Sequence, residues 1–134
     1  MIEDQFLSLG PHGFHRVAYT DWGNAASAHI VLCAHGLTRN GRDFDWLAQR
    51  LQRHCRVVCM DVAGRGRSEW LEHKADYTFR QYQTDAAALI ARVTNRRAQS
   101  RVTQWLPALK PAVNGRVDWV GTSMGGLIGM LLAA

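Results

Sequence analysis

The chain has 134 residues, of which 47% are hydrophobic and 20% charged, and a formal net charge of +5 at pH 7. This length allows one ordinary domain, and the apolar content argues against intrinsic disorder. The acidic N-terminal segment MIEDQFLSLGPHG is unlike a signal peptide, and the longest apolar stretch, MGGLIGMLLAA, is too short to span a bilayer. These features predict a cytoplasmic protein without a membrane span.

The positive charge is concentrated in one segment. Between Arg92 and Val117 there are six basic residues and no acid, which leaves 10 basic against 11 acidic residues elsewhere. We expect a solvated basic surface here, and no sequence motif supports binding to nucleic acid. Residues 94–116 are also long for a connection and contain two prolines. They are therefore predicted to form a basic insertion or flap between a helix and a strand.

Strand patterns and helix patterns alternate along the chain. Four segments show the alternation or the continuous apolar run of a strand: 14–23, 29–36, 55–61 and 117–121. Three segments show helical spacing of apolar residues: 43–54, 79–93 and the segment that begins at 123. This order predicts an α/β fold, with a mostly parallel sheet and helices on both faces.

The segment GTSMGG, residues 121–126, follows the strand run VDWV and precedes the apolar run LIGMLL. G-x-S-x-G in this context is the nucleophile-elbow pattern, in which a tight turn lifts the serine hydroxyl above the sheet edge. The residues two before and two after the serine nearly touch, so Gly121 and Gly125 must be small. Gly126 is expected to let the helix pack close to the strands. Ser123 is thus predicted as a nucleophile, and the alternative is a glycine turn with this serine as N-cap.

His35 and Gly36 end the first buried strand. Chemistry in an open parallel sheet gathers at the carboxyl ends of the strands, so the turn after Gly36 should reach the same cleft as Ser123. The backbone N–H groups of Leu37 and Met124 are predicted to form a two-donor oxyanion hole. The alternative is an ordinary turn in which His35 has only a structural role.

Other conspicuous residues are predicted to be structural. The glycine loop DVAGRGRS, residues 61–68, lacks the last glycine of a dinucleotide motif and the Lys-Ser/Thr ending of a phosphate loop. Asp85 is expected at a helix face or core position. The three cysteines lie in strand-like runs and are predicted to be buried reduced thiols, not a disulfide framework or a zinc site: Cys33, Cys55 and Cys59.

Several of these motifs together resemble the N-terminal half of an α/β-hydrolase, similar to its bacterial esterase and carbon–carbon hydrolase branch. The resemblance is carried by HG at 35–36, D-x-x-G-x-G-x-S at 61–68, the Tyr/Asp-bearing helix at 82–85 and GTSMGG at 121–126. It implies a serine hydrolase that acts on a carboxylic ester or related acyl substrate through Ser123, with no cofactor and no metal. It also implies that His35 supports the oxyanion turn.

This chain departs from that family in one respect. Family members place an acid and then a histidine after the serine, whereas all six histidines here precede Ser123 and no acid follows it. The resemblance therefore implies a partial α/β-hydrolase core, truncated after the elbow and inactive on its own. A triad of His35, Asp61 and Ser123 is not favoured, because His35 supports the oxyanion turn. We also expect self-association through the uncovered C-terminal sheet edge.

Two other functions remain open from the sequence. One is a non-catalytic small-molecule-binding protein built on the same fold. The other is an interaction module that acts through the basic segment 94–116, and it ranks last because no motif supports it.

Overall fold

The computed structural model describes residues 1–94 and 115–134, so the insertion predicted at 94–116 lies outside the described residues apart from its two ends. The described strands are β1 Ile2–Gly10, β2 Gly13–Trp22, β3 His29–Ala34, β4 Arg56–Met60 and β5 Arg116–Gly121. The described α-helices are α1 Asp45–Leu51, α2 Phe79–Thr94 and α3 Met124–Ala133. Short 3-10 turns lie at Gly41–Phe44 and Lys74–Asp76.

The five strands form one sheet in the order β1-β2-β4-β3-β5. Strand β3 pairs in parallel with both β4 and β5, as predicted. The hairpin of β1 and β2 is antiparallel, and β2 is antiparallel to β4, so the sheet is mixed. Strand β1 was not predicted, because its single fully buried residue is Ser8 and its sequence has no apolar alternation.

Helices cover both faces of the sheet, which confirms the predicted α/β architecture. Alternate residues of a strand point to opposite faces, and the buried side chains accordingly divide into two clusters. The cluster beneath α1 contains Val31, Cys33, Phe44, Ala48, Cys55, Val57 and Cys59. The cluster beneath α2 and α3 includes Val17, Leu32, Val58, Met60, Leu89 and Ile128.

The cysteines and the helices also bear on two sequence predictions. Cys33, Cys55 and Cys59 are buried and form no disulfide, as predicted. None of the helices in the described ranges has both the length and the apolar content needed to cross a bilayer.

Asp85 is the centre of a buried polar cluster that joins the β1–β2 hairpin to α2. Its Oδ1 accepts hydrogen bonds from Ser8 Oγ at 2.6 Å and from Gln81 Nε2 at 2.8 Å. His15 Nε2 lies 3.1 Å from Asp85 Oδ2. Ser8 and His15 are partners across the hairpin, so one carboxylate holds both of its strands. All four side chains are buried, and burial makes each of these bonds costly to lose.

Asp85→Asn is expected to lower the free energy of unfolding by about 2 kcal/mol, because the new amide N–H would face a buried donor. Urea unfolding followed by circular dichroism would measure the change. Glu72→Gln removes the same charge at an exposed position and is the matched control. Equal stability of the two variants would contradict this role for Asp85.

Candidate active site

Ser123 occupies the turn between β5 and α3. Its backbone angles are φ 51° and ψ −113°, and no other non-glycine residue in the described ranges has a positive φ. Such a conformation is strained for a residue with a side chain and is found where the surrounding structure imposes it. The residue is exposed at the carboxyl edge of the sheet, and its side chain makes no capping hydrogen bond to α3. Ser123 therefore occupies the N-cap position of α3 without the side-chain hydrogen bond that an N-cap serine ordinarily makes.

The glycines around Ser123 differ in how much space they have. A Cβ at Gly121 would lie 2.3 Å from the carbonyl carbon of Gly125. A Cβ at Gly125 would lie 2.0 Å from the carbonyl oxygen of Ala34. Both positions therefore require glycine, as the sequence predicts. A Cβ at Gly126 would lie 3.4 Å from Gly121 O and 3.8 Å from the Gly121 carbonyl carbon, so this position has more room than expected.

Trp119 on β5 holds the first turns of α3 against the sheet. Its Nε1 donates to Gly125 O at 2.9 Å. A Cβ at Gly129 would lie 2.3 Å from Trp119 Cδ1, so the helix packs directly on the indole ring. This contact between Trp119 and the elbow was not predicted from the sequence.

The turn after β3 lies beside Ser123. A Cβ at Gly36 would be 3.7 Å from Ser123 Cβ, and Gly125 packs against the end of β3. Within the described part of the chain, the N–H groups of Leu37 and Met124 donate no hydrogen bond. Met124 also opens α3, where the helix dipole favours negative charge. These two donors are therefore available to an anion at this edge.

His35 is fully buried beneath the turn. Its Nδ1 lies 2.7 Å from Gly36 O, and its Nε2 accepts a hydrogen bond from Val62 N at 2.9 Å. Those partners fit the neutral ring with the proton on Nδ1. Burial lowers the pKa of His35, although the hydrogen bond to Gly36 O opposes that shift. Both ring nitrogens are occupied by backbone, so His35 supports the turn and has no nitrogen left to accept a proton from Ser123.

Both carboxylate oxygens of Asp61 likewise accept hydrogen bonds from backbone N–H groups. Its Oδ1 accepts from Gly41 N at 2.7 Å, and its Oδ2 accepts from Arg67 N at 2.9 Å. Ser68 Oγ donates to Asp61 O at 2.6 Å. The DVAGRGRS segment is thus a structural turn, as predicted, and a His35–Asp61–Ser123 triad is excluded by the partners of its first two members.

The other five histidines also lie in the described ranges, and none of them contacts Ser123. Three face carboxylates: His12 faces Asp76, His15 faces Asp85 and His29 faces Asp118. His73 stacks on His12 at 4.1 Å between ring centroids, and His54 is exposed after α1. The Ser123 hydroxyl has no hydrogen-bond partner in residues 1–94 and 115–134. No group of three or more potential ligands in those ranges could hold a metal ion.

A cavity of about 360 Å³ opens beside the turn that follows β3. It is lined by Leu37, Thr38, Arg39, Asn40, Gly64, Arg65, Gly66 and Trp70. Its volume lies within the range of small-molecule sites. Sequence reasoning missed Arg39, Arg65 and Trp70 as site residues. The one available signal was the presence of both arginines in loops that follow β3 and β4.

Comparison with known proteins adds independent information. The family model of the alpha/beta hydrolase family matches residues 30–134. A 3-hydroxybutyrate-oligomer hydrolase from Cupriavidus necator is 49% identical over 125 residues, which are 93% of this chain and 36% of that relative. The present chain therefore spans little more than a third of that curated relative.

Two solved structures share the fold over nearly the whole chain. A protein from Rickettsia typhi has a TM-score of 0.79 and 29% identity, with 99% of this chain and 43% of that one covered. An alpha/beta hydrolase from Novosphingobium aromaticivorans has a TM-score of 0.70 and 32% identity, with 98% and 39% covered.

Proposed function

This chain belongs to the alpha/beta hydrolase family, and we propose that it contributes the nucleophile Ser123 to a serine ester hydrolase. The observation that carries the proposal is the exposed serine held at φ 51° on a turn that Gly121 and Gly125 close. A strained turn of this kind is expected where a side chain must be presented to a reactant.

In the proposed reaction, Ser123 Oγ attacks the ester carbonyl carbon and its proton passes to a general base. The N–H groups of Leu37 and Met124 donate to the resulting oxyanion. Collapse of this intermediate breaks the bond to the alcohol oxygen, which takes the proton from the base and leaves. Water, deprotonated by the same base, then attacks the acyl-enzyme and releases the acid, and the serine regains its proton. His35 acts as a positioning residue through Gly36.

The base cannot be assigned to a histidine of this chain. His35 is occupied by backbone, and the others have no contact with Ser123. We therefore propose that a histidine and its orienting acid reach Ser123 from outside these 134 residues, and that the chain alone turns over slowly. The same observation favours a second candidate, a non-catalytic small-molecule-binding protein on this fold.

The proposed substrates are short linear esters of hydroxy acids. The relative from Cupriavidus necator is named for hydrolysis of 3-hydroxybutyrate oligomers, and a polar cavity in this chain is lined by the turn that follows β3. Cytoplasmic location and self-association through the β5 edge stay predictions.

In the complete gene product, a fluorophosphonate probe is expected to modify Ser123, because the exposed hydroxyl lies beside two backbone donors that suit a phosphonyl oxygen. Intact mass spectrometry would show one adduct, and peptide mapping would place it at residue 123. Thr122→Ala, at the adjacent exposed hydroxyl, should label like the wild type. No adduct in the complete gene product would favour the non-catalytic candidate, and an adduct at another serine would contradict the proposed nucleophile.

A further inference from the structure

Arg65 is a cation without a counter-ion in the cavity beside the oxyanion turn. Its Nε donates to Leu37 O at 3.1 Å, and its Nη1 donates to Ala63 O at 2.8 Å and Tyr82 OH at 2.9 Å. The guanidinium also lies over the rings of Tyr77 and Tyr82. No carboxylate in the described ranges forms an ion pair with it. A fixed arginine of this kind is pre-organised to bind an anion.

Arg39 lines the same cavity. The base of its side chain lies close to the Ser123 side chain, on the other side of Gly36. A Cβ at Gly36 would be 3.9 Å from Arg39 Cγ and 3.7 Å from Ser123 Cβ. The exposed guanidinium of Arg39 forms a two-point ion pair with Asp43: its Nε donates to Asp43 Oδ2 at 2.8 Å and its Nη2 donates to Asp43 Oδ1 at 2.7 Å. Asp43 does not line the cavity, and no lining residue is acidic. The cavity is therefore lined by two arginines and by no carboxylate, and its positive charge comes chiefly from Arg65.

We propose that Arg65 and Arg39 bind a carboxylate of the substrate, an inference that rests on the proposed function. The site then prefers esters whose alcohol portion carries a carboxylate a few bonds from the scissile carbonyl. A linear oligoester of a hydroxy acid has that group at one end, so its terminal unit would leave as the free hydroxy acid. Guanidinium groups match carboxylates in geometry and charge, and the positive cavity would also draw the anionic end toward Ser123.

The test compares the linear dimer of 3-hydroxybutyrate with its methyl ester, using the complete product of the gene that encodes this chain. The wild type should hydrolyse the acid dimer with the higher kcat/KM, and added salt should reduce the preference. Arg39→Gln should lower the ratio of acid to methyl-ester kcat/KM about fivefold, the upper range for an exposed ion pair. Arg65→Gln should lower it further and slow both substrates, because Arg65 also holds Leu37 O.

Arg42→Gln is the matched control. It removes the same charge three positions away, but Arg42 pairs with Asp45 and Glu3 and does not line the cavity. The ratio should therefore stay at the wild-type value. Circular dichroism spectra of all variants would confirm that they fold.

The outcomes separate this inference from the proposed function. If neutral p-nitrophenyl butyrate is hydrolysed through Ser123 but neither arginine variant changes the ratio, the carboxylate site is refuted and the hydrolase stands. If no ester is hydrolysed, the proposed function fails, and calorimetric titration with the acid dimer tests the site alone. Binding that Arg39→Gln and Arg65→Gln weaken would support the site, and unchanged or undetectable binding would overturn it.

Discussion

Ser123→Ala is expected to lower kcat for ester hydrolysis by the complete gene product at least about a thousandfold, because no acyl-enzyme can form without the hydroxyl. Stability should change little, since the exposed side chain makes no hydrogen bond in the described ranges. Initial rates with p-nitrophenyl butyrate would measure the loss, and thermal unfolding would check the fold.

Thr122→Ala removes the neighbouring exposed hydroxyl and should retain nearly full activity. If Ser123→Ala keeps more than about a tenth of the wild-type kcat, another group must attack the ester, and the assignment of the nucleophile fails.

Gly125→Ala is expected to destabilise the fold by about 3 kcal/mol or more, at the upper range for overpacking. The new methyl would lie 2.0 Å from the carbonyl oxygen of Ala34, and a backbone atom cannot turn aside as a flexible side chain can. The shift would also move the first donor of α3, so labelling of Ser123 by a fluorophosphonate should slow about a hundredfold. Urea unfolding and the labelling rate measure the two effects.

Gly126→Ala is the matched control, one position along the same helix. Its methyl would lie 3.4 Å from Gly121 O and 3.8 Å from the Gly121 carbonyl carbon, which are ordinary contacts, and alanine is favoured over glycine in a helix by about 1 kcal/mol. We expect unchanged or slightly higher stability. Equal destabilisation by the two substitutions would show that contact with Ala34 does not govern the elbow.

The elbow could be predicted because its chemistry is local. Ser123 and the glycines that close its turn lie within six consecutive residues, and the apolar runs around them indicate a strand followed by a helix. The parallel part of the sheet was predictable for the same reason, since buried strands such as β3 have continuous apolar runs.

Features that depend on distant partners could not be predicted in this way. Asp85 looked like one polar residue on a helix, because its partners Ser8 and His15 lie on the N-terminal hairpin. The cavity depends on Arg39 and Arg65, which come from loops after different strands. Only the fold brings such residues together, and no periodic pattern in the sequence indicates which distant residues will be in contact.

The contact between Gly125 and Ala34 has a consequence for how specificity can diverge on this scaffold. Because the two backbones touch, the proposed nucleophile and the N–H donor of Met124 belong to one rigid unit built from β3, β5 and α3. The arginines of the cavity project from loops outside that unit. Exchange of Arg39 for a neutral or acidic residue would therefore change which esters the site accepts, while the Ser123 hydroxyl and the Met124 N–H keep their spacing.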